Sequence, residues 1–331
     1  MEISLSVLPS VLIVIPTYNR ESYITQCLDS IINQTYKNIK ILIVDDASTD
    51  NTLDVLADYV TCDTRIEVRV HSKNSGGSSK ALDQSMRECE CDFYTWIGSD
   101  DAYEPNAIES FVNCLVRNPR VDYVYADFRI VNSRNTTILM KYGIFKEYDT
   151  LSHLQFVYLN KFNPIPWNGM WRTKFLKDND LGWLLYQGND WSDDVVNGLL
   201  YFSYDMVTRY VPKRLIRYRM HEAQGTHDLE KRIKNEVVIY NAIFEWYGPE
   251  AYLGRSASPM EVHFEYLTQM RKIILSYTRQ FLFGDMAQVQ PHIQYVAKHS
   301  LKYMDSYNLI DDEMFKNLKF FFKSEGGKVN V

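Results

Sequence analysis

The sequence has no surplus of positive charge, which argues against a general nucleic-acid-binding protein. Its 331 residues carry 36 lysines and arginines against 42 aspartates and glutamates, a formal net charge of −6. Nucleic-acid binders usually show the opposite balance, because lysine and arginine neutralise the phosphate backbone. We therefore expect no nucleic-acid partner, and any basic patch would be local.

Cysteine is also scarce, and its distribution predicts neither a disulfide framework nor a zinc site. The number is odd and every cysteine lies before residue 115: Cys27, Cys62, Cys89, Cys91 and Cys114. No stretch spaces four ligands as structural zinc sites do. The sequence thus predicts reduced thiols, which are typical of an intracellular protein.

Long apolar runs are missing as well. The first run, Val11 to Ile15, is too short for the core of a signal peptide and follows no basic segment. No stretch approaches the roughly 18 apolar residues that a membrane-spanning helix needs. We expect a cytoplasmic protein, with a peripheral contact at the inner face of the membrane as an open alternative. The Phe- and Lys-rich residues 315–323 are interpreted as a docking helix or as such a contact.

The first half of the chain alternates short apolar runs with helical patterns. The apolar runs at 11–15, 39–44, 66–70, 93–97 and 121–130 predict strands. Apolar residues three or four positions apart predict helices at 22–33, 50–59 and 76–88, and a further helix with Pro105 in its first turn. This alternation predicts an α/β fold with a mainly parallel central sheet flanked by helices.

The rest of the chain differs in character. Residues 145–227 are rich in Trp, Tyr, Asn and Asp and predict irregular loops that line a pocket, whereas the pattern beyond them is helical. We therefore expect a binding and catalytic domain at 1–227 and a helical C-terminal subdomain at 228–331. The helical part is assigned to acceptor choice or to self-association as a homo-oligomer.

Polar clusters follow four of the predicted strands. They are residues 16–20, Asp45-Asp46, residues 71–77 and Ser99-Asp100-Asp101. Ligands of open α/β sheets bind beyond the carboxyl ends of the strands, so these clusters mark the expected site. The neighbouring carboxylates Asp100 and Asp101 repel each other, and a bound Mg²⁺ or Mn²⁺ would relieve that repulsion. A solvated turn is the competing interpretation.

Two further clusters have the chemistry of nucleotide binding. Asp45 or Asp46 offers a carboxylate to a base-edge N–H, although a turn with a helix cap would explain the same segment. The segment from Asn74 to Lys80, with Gly76 and Gly77, leads into a helix whose N-terminus would attract phosphate. Its spacing is neither the Walker nor the Rossmann glycine motif, and an ordinary loop is the alternative.

The order of these motifs resembles that of the family 2 glycosyltransferases, which have the GT-A fold. The matching segments are 14–20, 44–50, 74–77 and 98–101, and the likeness continues through 166–175, an acceptor-loop stretch, and 210–221. It covers roughly residues 9–225. The family often has Asp-x-Asp-Asp where this chain has Gly98-Ser-Asp-Asp, so the first aspartate is absent here.

The resemblance implies a role for each matching residue. The base and ribose of a nucleotide sugar would be lined by Pro16, Thr17, Tyr18 and Arg20, and the base edge would be bound by Asp46 and Asp45. Further donor contacts would come from Asn74, Gly76, Gly77, Lys80 and Ser99. Asp100 would contact ribose or metal, and Asp101 the metal and the diphosphate. His221 would be a third metal ligand, or would simply close a loop. Arg217 and Arg219 would face the diphosphate or pair with nearby acids.

Inverting members of the family use a carboxylate as general base, located before a helix. The resemblance places Asp194 first for this role, then Asp193, then Asp190, while capping of the following helix is the structural alternative. The implied enzyme moves a sugar from a UDP-sugar, assisted by Mn²⁺ or Mg²⁺, to a glycan, lipid-linked or protein acceptor in cell-surface glycan synthesis. The alternatives are an inactive nucleotide-sugar-binding scaffold and a sugar nucleotidyltransferase.

Overall fold

A computed structural model describes residues 8–139, 147–160, 164–183 and 193–221, together with 239, 242, 243, 246 and 247. The chain divides into two compact units. The first consists of Met1–Phe156 and Phe162–Gln224, and the second of Val157–Lys161 and Gly225–Val331. The predicted boundary at residue 227, the helical C-terminal subdomain and the 315–323 segment all lie outside the continuously described ranges, so those predictions stay open.

The described part of the first unit is built on a sheet of nine strands. They are β1 Val11–Thr17, β2 Ile39–Asp45, β3 Ile66–Val70, β4 Phe93–Trp96, β5 Ala102–Tyr103, β6 Tyr123–Val131, β7 Thr137–Leu139, β8 Met170–Arg172 and β9 Thr208–Arg219. Their order across the sheet is β3-β2-β1-β4-β8-β6-β9-β5, with β7 paired to β6. The α/β fold with a central sheet is thereby confirmed.

The strand directions are mixed. β3, β2, β1 and β4 run parallel to one another, and β6 and β9 also form a parallel pair. β8 lies antiparallel between β4 and β6, while β5 is antiparallel to β9 and β7 to β6. The three antiparallel strands contain only two or three residues each, which is too short for a periodic pattern to predict them.

Helices connect the strands, and none of the described helices is long and apolar enough to cross a membrane. They are α1 Ile24–Ile32, α2 Thr52–Cys62, α3 Ser79–Glu88, α4 Ala107–Arg117, α5 Thr150–Asn160, α6 Thr173–Asp178 and α7 Asp193–Phe202. The first four fall where the sequence predicts them. Pro105 lies in the turn before α4 rather than in its first turn, and its carbonyl accepts a hydrogen bond from the Thr35 N–H.

The core occupies both faces of the sheet, because successive strand residues point to opposite sides. Val11, Ile13 and Ile15 of β1 pack on one face with residues of α1 and α4, while Val14 packs on the other. The second face is rich in aromatic side chains, including Trp167, Trp171, Trp183, Tyr123 and Tyr201. Strands covered on both faces read as continuous apolar runs, which is why β1 and β2 were predictable.

The expectation of irregular loops across residues 145–227 is wrong for most of the described part. That segment contributes α5, β8, α6, α7 and the twelve-residue strand β9. Its tryptophans obscured the pattern because they belong to the core: Trp167 and Trp171 are buried, and their rings stack with centroids 5.7 Å apart. Residues 166–175, expected to form an acceptor loop, instead place β8 in the middle of the sheet.

Strand β9 carries a bulge that lets it contain a proline. In its pairing with β6, Ala126 lies opposite Val211 and Asp127 opposite Arg214, so Pro212 and Lys213 have no opposite residue. Proline is tolerated at such a position because no ladder hydrogen bond requires its missing N–H. Beyond the bulge the pairing continues to Arg219, opposite Val131. The strand thus delivers the segment Arg219 to His221 to the site described below.

Candidate active site

The loops after β1 and β2 are joined through Asn19. Its backbone N–H donates to Ser48 Oγ at 2.9 Å, and its side-chain oxygen accepts the Thr49 N–H at 2.8 Å. Asn19 and Ala47 both adopt positive φ, 52° and 63° respectively, which asparagine tolerates better than most residues. The two loops therefore form one pre-organised surface beyond the carboxyl ends of adjacent parallel strands.

The same two loops are joined again at the start of α2. The Arg20 N–H donates to Thr52 Oγ1 at 2.8 Å, and the Asn51 N–H donates to the Glu21 carboxylate at 2.9 Å. Asp50 accepts hydrogen bonds from both the N–H and the hydroxyl of Thr52. Asp50 thus binds Thr52, the first residue of α2, and its carboxylate also accepts the Glu21 N–H at 3.2 Å, which ties the start of the helix to the loop after β1.

The four predicted nucleotide contacts of the first loop differ in exposure. Tyr18 is 40% exposed, whereas Pro16 and Arg20 are partly buried. Thr17 is buried, and its hydroxyl has no hydrogen-bond partner among the described residues. A buried hydroxyl without a partner is uncommon. Because Thr17 is buried, whereas Tyr18 and Arg20 reach the surface, the side chains of Tyr18 and Arg20 are the ones of this loop that are better placed to contact a ligand.

The carboxylates of Asp45 and Asp46 have different hydrogen-bond partners in the structure. Asp45 is fully buried, and its carboxylate accepts the Ser48 N–H at 2.9 Å and the Ser48 hydroxyl at 2.5 Å. Its carboxylate thereby closes the loop after β2. This is the turn interpretation of the motif, and it places the Asp45 carboxylate in the loop rather than at its surface.

Asp46 connects to the third loop, which follows β3. Its carboxylate accepts the N–H and the hydroxyl of Ser75 at 2.8 and 3.0 Å, and lies 2.8 Å from His71 Nδ1. Asp46 therefore fixes the loop from Asn74 to Gly77 against the first two. Of the two predicted base-edge residues, it is the one located where three loops meet.

The third loop has the backbone of a tight turn leading into α3. Gly76 has a φ of +95°, a conformation that side-chain-bearing residues rarely adopt, and its N–H donates to Asn74 Oδ1 at 2.8 Å. Gly77 follows, and its carbonyl accepts the Ser75 hydroxyl at 3.1 Å. Lys80 is exposed in the first turn of α3. The loop and Lys80 thus flank the helix N-terminus proposed for phosphate.

The segment after β4 brings two carboxylates together over a glycine. The Asp101 N–H donates to the Gly98 carbonyl at 2.9 Å, which closes a turn around Ser99, which is buried, and Asp100, which is partly buried. A Cβ at residue 98 would lie 2.8 Å from Asp100 Oδ1 and 3.3 Å from Asp101 Oδ2. The carboxylates thus occupy the space that a residue-98 side chain would need, which is a physical reason for glycine at this position.

The environment of Asp101 disfavours its charge. Burial raises the pKa of Asp101 well above its ordinary value, the negative charge of Asp100 raises it further, and Arg219 partly offsets both. Burial and the same two carboxylates raise the pKa of the neighbouring Cys27 thiol. A positive charge bound beside the two carboxylates would offset this penalty on their ionised forms.

Asp100 faces two further groups. Its Oδ2 lies 3.0 Å from His221 Nε2 and 3.6 Å from Arg20 Nε. The His221 ring stacks on Tyr23 at 4.7 Å, and its Nδ1 is buried with no hydrogen-bond partner among the described residues. The structure thus brings together His221, Asp100 and Asp101, which come from distant parts of the sequence.

Arg219 forms hydrogen bonds with both Asp100 and Asp101. Its backbone N–H donates to Asp101 Oδ1 at 2.9 Å, and its Nε donates to the Asp100 carbonyl at 2.7 Å. The side chain is buried, so Arg219 binds protein atoms rather than facing the diphosphate. Arg217 likewise pairs with Glu104 and donates to the Tyr103 carbonyl at 3.1 Å. Sequence reasoning missed Gln26 in α1 and Tyr23 just before it, which contact Arg219, because no local pattern distinguishes them.

The donor set at this position fits a divalent cation only in part. Among the described residues, no group of three or more His, Cys, Asp and Glu side chains is arranged to hold a metal ion. Mg²⁺ and Mn²⁺ are often held by one or two carboxylates, with water and substrate phosphates completing the shell. Asp100 and Asp101 match that smaller set, and a bound cation would relieve the repulsion between the two neighbouring carboxylates.

The candidates for the general base lie at the start of α7. Asp190 lies outside the described residues, and Asp193 is the first residue of the helix. Asp194 accepts the Val195 N–H at 2.8 Å and retains an exposed surface. Although part of the residue is exposed, desolvation of the carboxyl group by neighbouring atoms raises its pKa. A carboxylate with this shift is better suited to accept a proton near neutral pH than an ordinary aspartate.

Comparison with known proteins identifies the family. The model of Glycosyl transferase family 2 matches residues 12–179, which is about half of the chain and covers the strands β1 to β8 except for Val11, the first residue of β1. The chain belongs to glycosyltransferase family 2. The predicted membership is thus confirmed.

Two curated relatives illustrate how far the similarity extends. GlyG of Streptococcus pneumoniae serotype 4 is 36% identical over 98 residues, 30% of this chain and 32% of GlyG. EpsH of Bacillus subtilis strain 168 is 25% identical over 242 residues, 71% of this chain and 69% of EpsH. The matches to six curated relatives span only 18% to 40% of those proteins' lengths.

Solved structures share the fold at low sequence identity. S. aureus TarS 1–349 in complex with UDP-GlcNAc aligns with a TM-score of 0.63 and 21% identity, over 89% of this chain and 81% of that one. The mannosyltransferase PcManGT from Pyrobaculum calidifontis, in complex with GDP-Man and Mn²⁺, aligns with a TM-score of 0.51 and 15% identity, over 93% and 89%. These likenesses confirm the GT-A-like fold.

Proposed function

We propose that the chain transfers a sugar from a nucleoside diphosphate sugar to an acceptor hydroxyl, with a UDP-sugar as the favoured donor. One observation carries the proposal: Asp100 and Asp101 lie at the same sheet edge as the interlocked loops that contain Tyr18, Arg20 and Asp46. A base, a ribose and a diphosphate need contacts of these kinds in close succession. The UDP-GlcNAc bound to TarS supports UDP as the first donor to test.

The donor would be held at both ends. Tyr18 offers an exposed aromatic ring and Arg20 a guanidinium at the first loop, while Asp46 lies at the junction of the three loops. The N-terminus of α3, with Lys80 in its first turn, adds positive potential where phosphate would lie. Asp100 and Asp101 would hold Mn²⁺ or Mg²⁺, which stabilises the negative charge of a nucleoside diphosphate leaving group.

Asp194 is the proposed general base. Its carboxylate would accept the proton of the acceptor hydroxyl as that oxygen attacks the anomeric carbon from the side opposite the nucleotide. The attack forms the new glycosidic bond while the bond to the diphosphate breaks, so the configuration inverts. Positioned general bases contribute about 10²- to 10⁴-fold in rate, and the raised pKa of Asp194 suits it to this task.

The biological setting belongs to the proposal as well. The acceptor is a glycan, a lipid-linked saccharide or a protein side chain, and the product belongs to cell-surface glycan or glycoconjugate synthesis. The cytoplasm, or the inner face of the membrane, supplies such donors and acceptors. We also propose that the catalytic domain ends at residue 227 and that residues 228–331 select the acceptor.

Calorimetric titration of UDP, GDP, dTDP, ADP and CDP, with and without Mn²⁺, tests the donor site. We expect one nucleotide to bind in a Mn²⁺-dependent manner and Asp101→Asn to lose that dependence. Asp122→Asn is the matched control, because Asp122 also has a pKa raised by burial and accepts a backbone N–H, from Val207 just before β9. If no nucleotide binds to the folded protein, the donor-site proposal fails.

Turnover separates an enzyme from a binding scaffold. A glycosyltransferase hydrolyses its donor slowly when no acceptor is present, and Asp194→Asn should abolish that hydrolysis without weakening UDP binding. Tight binding of the donor without any hydrolysis or transfer, across the acceptor classes named above, would favour the inactive scaffold instead.

A further inference from the structure

The side chain of Arg219 is buried, with 1% of the residue exposed, and it forms hydrogen bonds with several segments of the site. Besides its bond to the Asp100 carbonyl, its Nη1 donates to the carbonyls of Asn132 and Ser133, each at 3.2 Å. Its Nη2 donates to Gln26 Oε1 at 2.6 Å. A buried arginine is uncommon, and its cost is offset only when its donors are satisfied in this way.

These bonds fasten four segments to one guanidinium. Three of them supply acceptors, namely α1, the turn after β4 and the turn between β6 and β7; the fourth is the end of β9, which carries Arg219. The guanidinium also lies 5.4 Å from the centroid of the Tyr23 ring, on which His221 stacks. The planar fork of arginine matches several acceptors at fixed angles, whereas lysine would present a single flexible charge.

The two carboxylates depend on this residue through different atoms. The backbone N–H of Arg219 holds the Asp101 carboxylate, and Nε holds the Asp100 carbonyl. Adjacent carboxylates repel each other, so without a fixed donor and a nearby positive charge they would move apart. His221, two residues further along the chain, reaches Asp100 only if β9 ends where Arg219 fixes it.

We propose that Arg219 is a positioning residue that sets the spacing of Asp100 and Asp101 for a cation-bound diphosphate, without touching the ligand. The proposal rests on the proposed function, because it assigns Arg219 to the donor site of that reaction. It predicts a specific defect: the cation-dependent part of nucleotide binding is lost, while the contacts of the base and ribose with the first two loops are retained.

Arg219→Lys is the primary test, with Arg217→Lys as its matched control. Arg217 lies two residues earlier on the same strand and contacts Glu104 and the Tyr103 carbonyl, but neither Asp100 nor Asp101. The UDP dissociation constant is measured by calorimetry with and without Mn²⁺, at a temperature where circular dichroism shows each variant to be folded. In the presence of Mn²⁺ we expect Arg219→Lys to weaken binding at least tenfold. Without Mn²⁺ the change should stay below threefold, and Arg217→Lys should change neither value.

Gln26→Leu provides a second test that keeps Arg219 itself. It removes one acceptor of the guanidinium at a distance from the carboxylates, and we expect the Mn²⁺-dependent binding to weaken about three- to tenfold. In the Arg219→Lys background the same change should have no further effect on affinity. If Arg219→Lys does not fold, the result for Gln26→Leu decides.

The outcomes distinguish this proposal from the proposed function. If no nucleotide binds to the folded wild-type protein, the proposed function fails and the positioning role fails with it. A wild-type protein that binds UDP equally well with and without Mn²⁺ keeps the donor site but overturns the cation role of Asp100 and Asp101, and therefore the positioning role of Arg219. A wild type with Mn²⁺-dependent binding, together with Arg219→Lys or Gln26→Leu variants that melt earlier but bind UDP normally in Mn²⁺, overturns the positioning role alone. In that case Arg219 would stabilise the fold and nothing more.

Discussion

Replacing Gly98 by alanine tests how closely the carboxylates fit over that residue. The new Cβ would lie 2.8 Å from Asp100 Oδ1, whereas ordinary contacts begin at 3.4 Å. The carboxylate must therefore retreat by about 0.6 Å. If it moves away from His221, the 3.0 Å bond between Asp100 Oδ2 and His221 Nε2 lengthens beyond hydrogen-bonding range.

The expected magnitude follows from the bond that is lost. Hydrogen bonds to charged groups contribute about 1.5–3 kcal/mol, and the lower figure corresponds to roughly a tenfold change in an equilibrium constant. We expect Gly98→Ala to weaken Mn²⁺-dependent UDP binding about tenfold. Stability should also fall, because the lost bond joins two groups of the folded protein; the loss of glycine flexibility in the unfolded chain offsets part of that cost, since Gly98 does not have a left-handed φ.

A double-mutant cycle with Asp100→Ala isolates the cause. Calorimetry on wild type, both single variants and the double variant measures whether Gly98→Ala acts through Asp100. If it does, Gly98→Ala has no further effect on affinity once the Asp100 carboxylate is gone. Wild-type affinity in Gly98→Ala, or an undiminished tenfold loss in the Asp100→Ala background, would refute the reasoning.

Three more predictions concern groups with perturbed environments. Asp194→Asn should lower kcat about 10²- to 10⁴-fold, and the raised pKa of Asp194 should make wild-type kcat fall with acid at a higher pH than an ordinary aspartate would allow; a flat profile across that range contradicts the assignment. The pKa of Asp101 is higher in the folded protein than in the unfolded chain. Ionisation of Asp101 therefore lowers the free energy of unfolding as the pH rises above the unfolded pKa, and this loss of stability is absent below the unfolded pKa. Asp101→Asn should therefore raise the melting temperature at pH 7 by about 2–4 °C, equivalent to about 1 kcal/mol, with a smaller gain near pH 4; calorimetry that shows a lower melting temperature at pH 7 would count against this. Trp171 is fully buried, so Trp171→Ala should cost about 3–5 kcal/mol in urea denaturation, and a folded variant with only a raised KM would instead place this ring at the substrate.

Much of the parallel part of the sheet was predictable from sequence, since β1, β2 and β4 are continuous apolar runs that end in polar clusters. The rule that ligands bind beyond carboxyl strand ends then located Asp46, Asp100 and Asp101 at one edge. β8 was not predictable, because three residues carry no periodicity and their neighbours in the sheet come from distant parts of the chain. The same holds for the parallel pairing of β6 with β9.

The details of the site depended on tertiary contacts that no local pattern encodes. Adjacent aspartates at 45 and 46 look equivalent in sequence, yet the first closes its own turn through Ser48 and the second holds Ser75 and His71. Arg219 gave the opposite difficulty. Arginine is usually exposed, so the sequence predicted a contact with the diphosphate or with nearby acids. The burial of Arg219 depends on acceptors that three other segments supply.

The contacts of Arg219 also have a consequence for the order in which the protein matures on the ribosome. The bond between Arg219 and Gln26 joins residues 193 positions apart, and the bond to the Asp100 carbonyl joins residues 119 apart. The strands β1 to β4 are synthesised long before residue 219 leaves the ribosome, and domains usually fold as units during synthesis. A nascent chain that ends before β9 thus has the nucleotide loops but lacks the arginine beneath its carboxylates. The cation-dependent part of the proposed donor site is therefore completed only after β9 has been synthesised, and a chain that ends before β9 would have to hold a nucleotide sugar through its first loops alone.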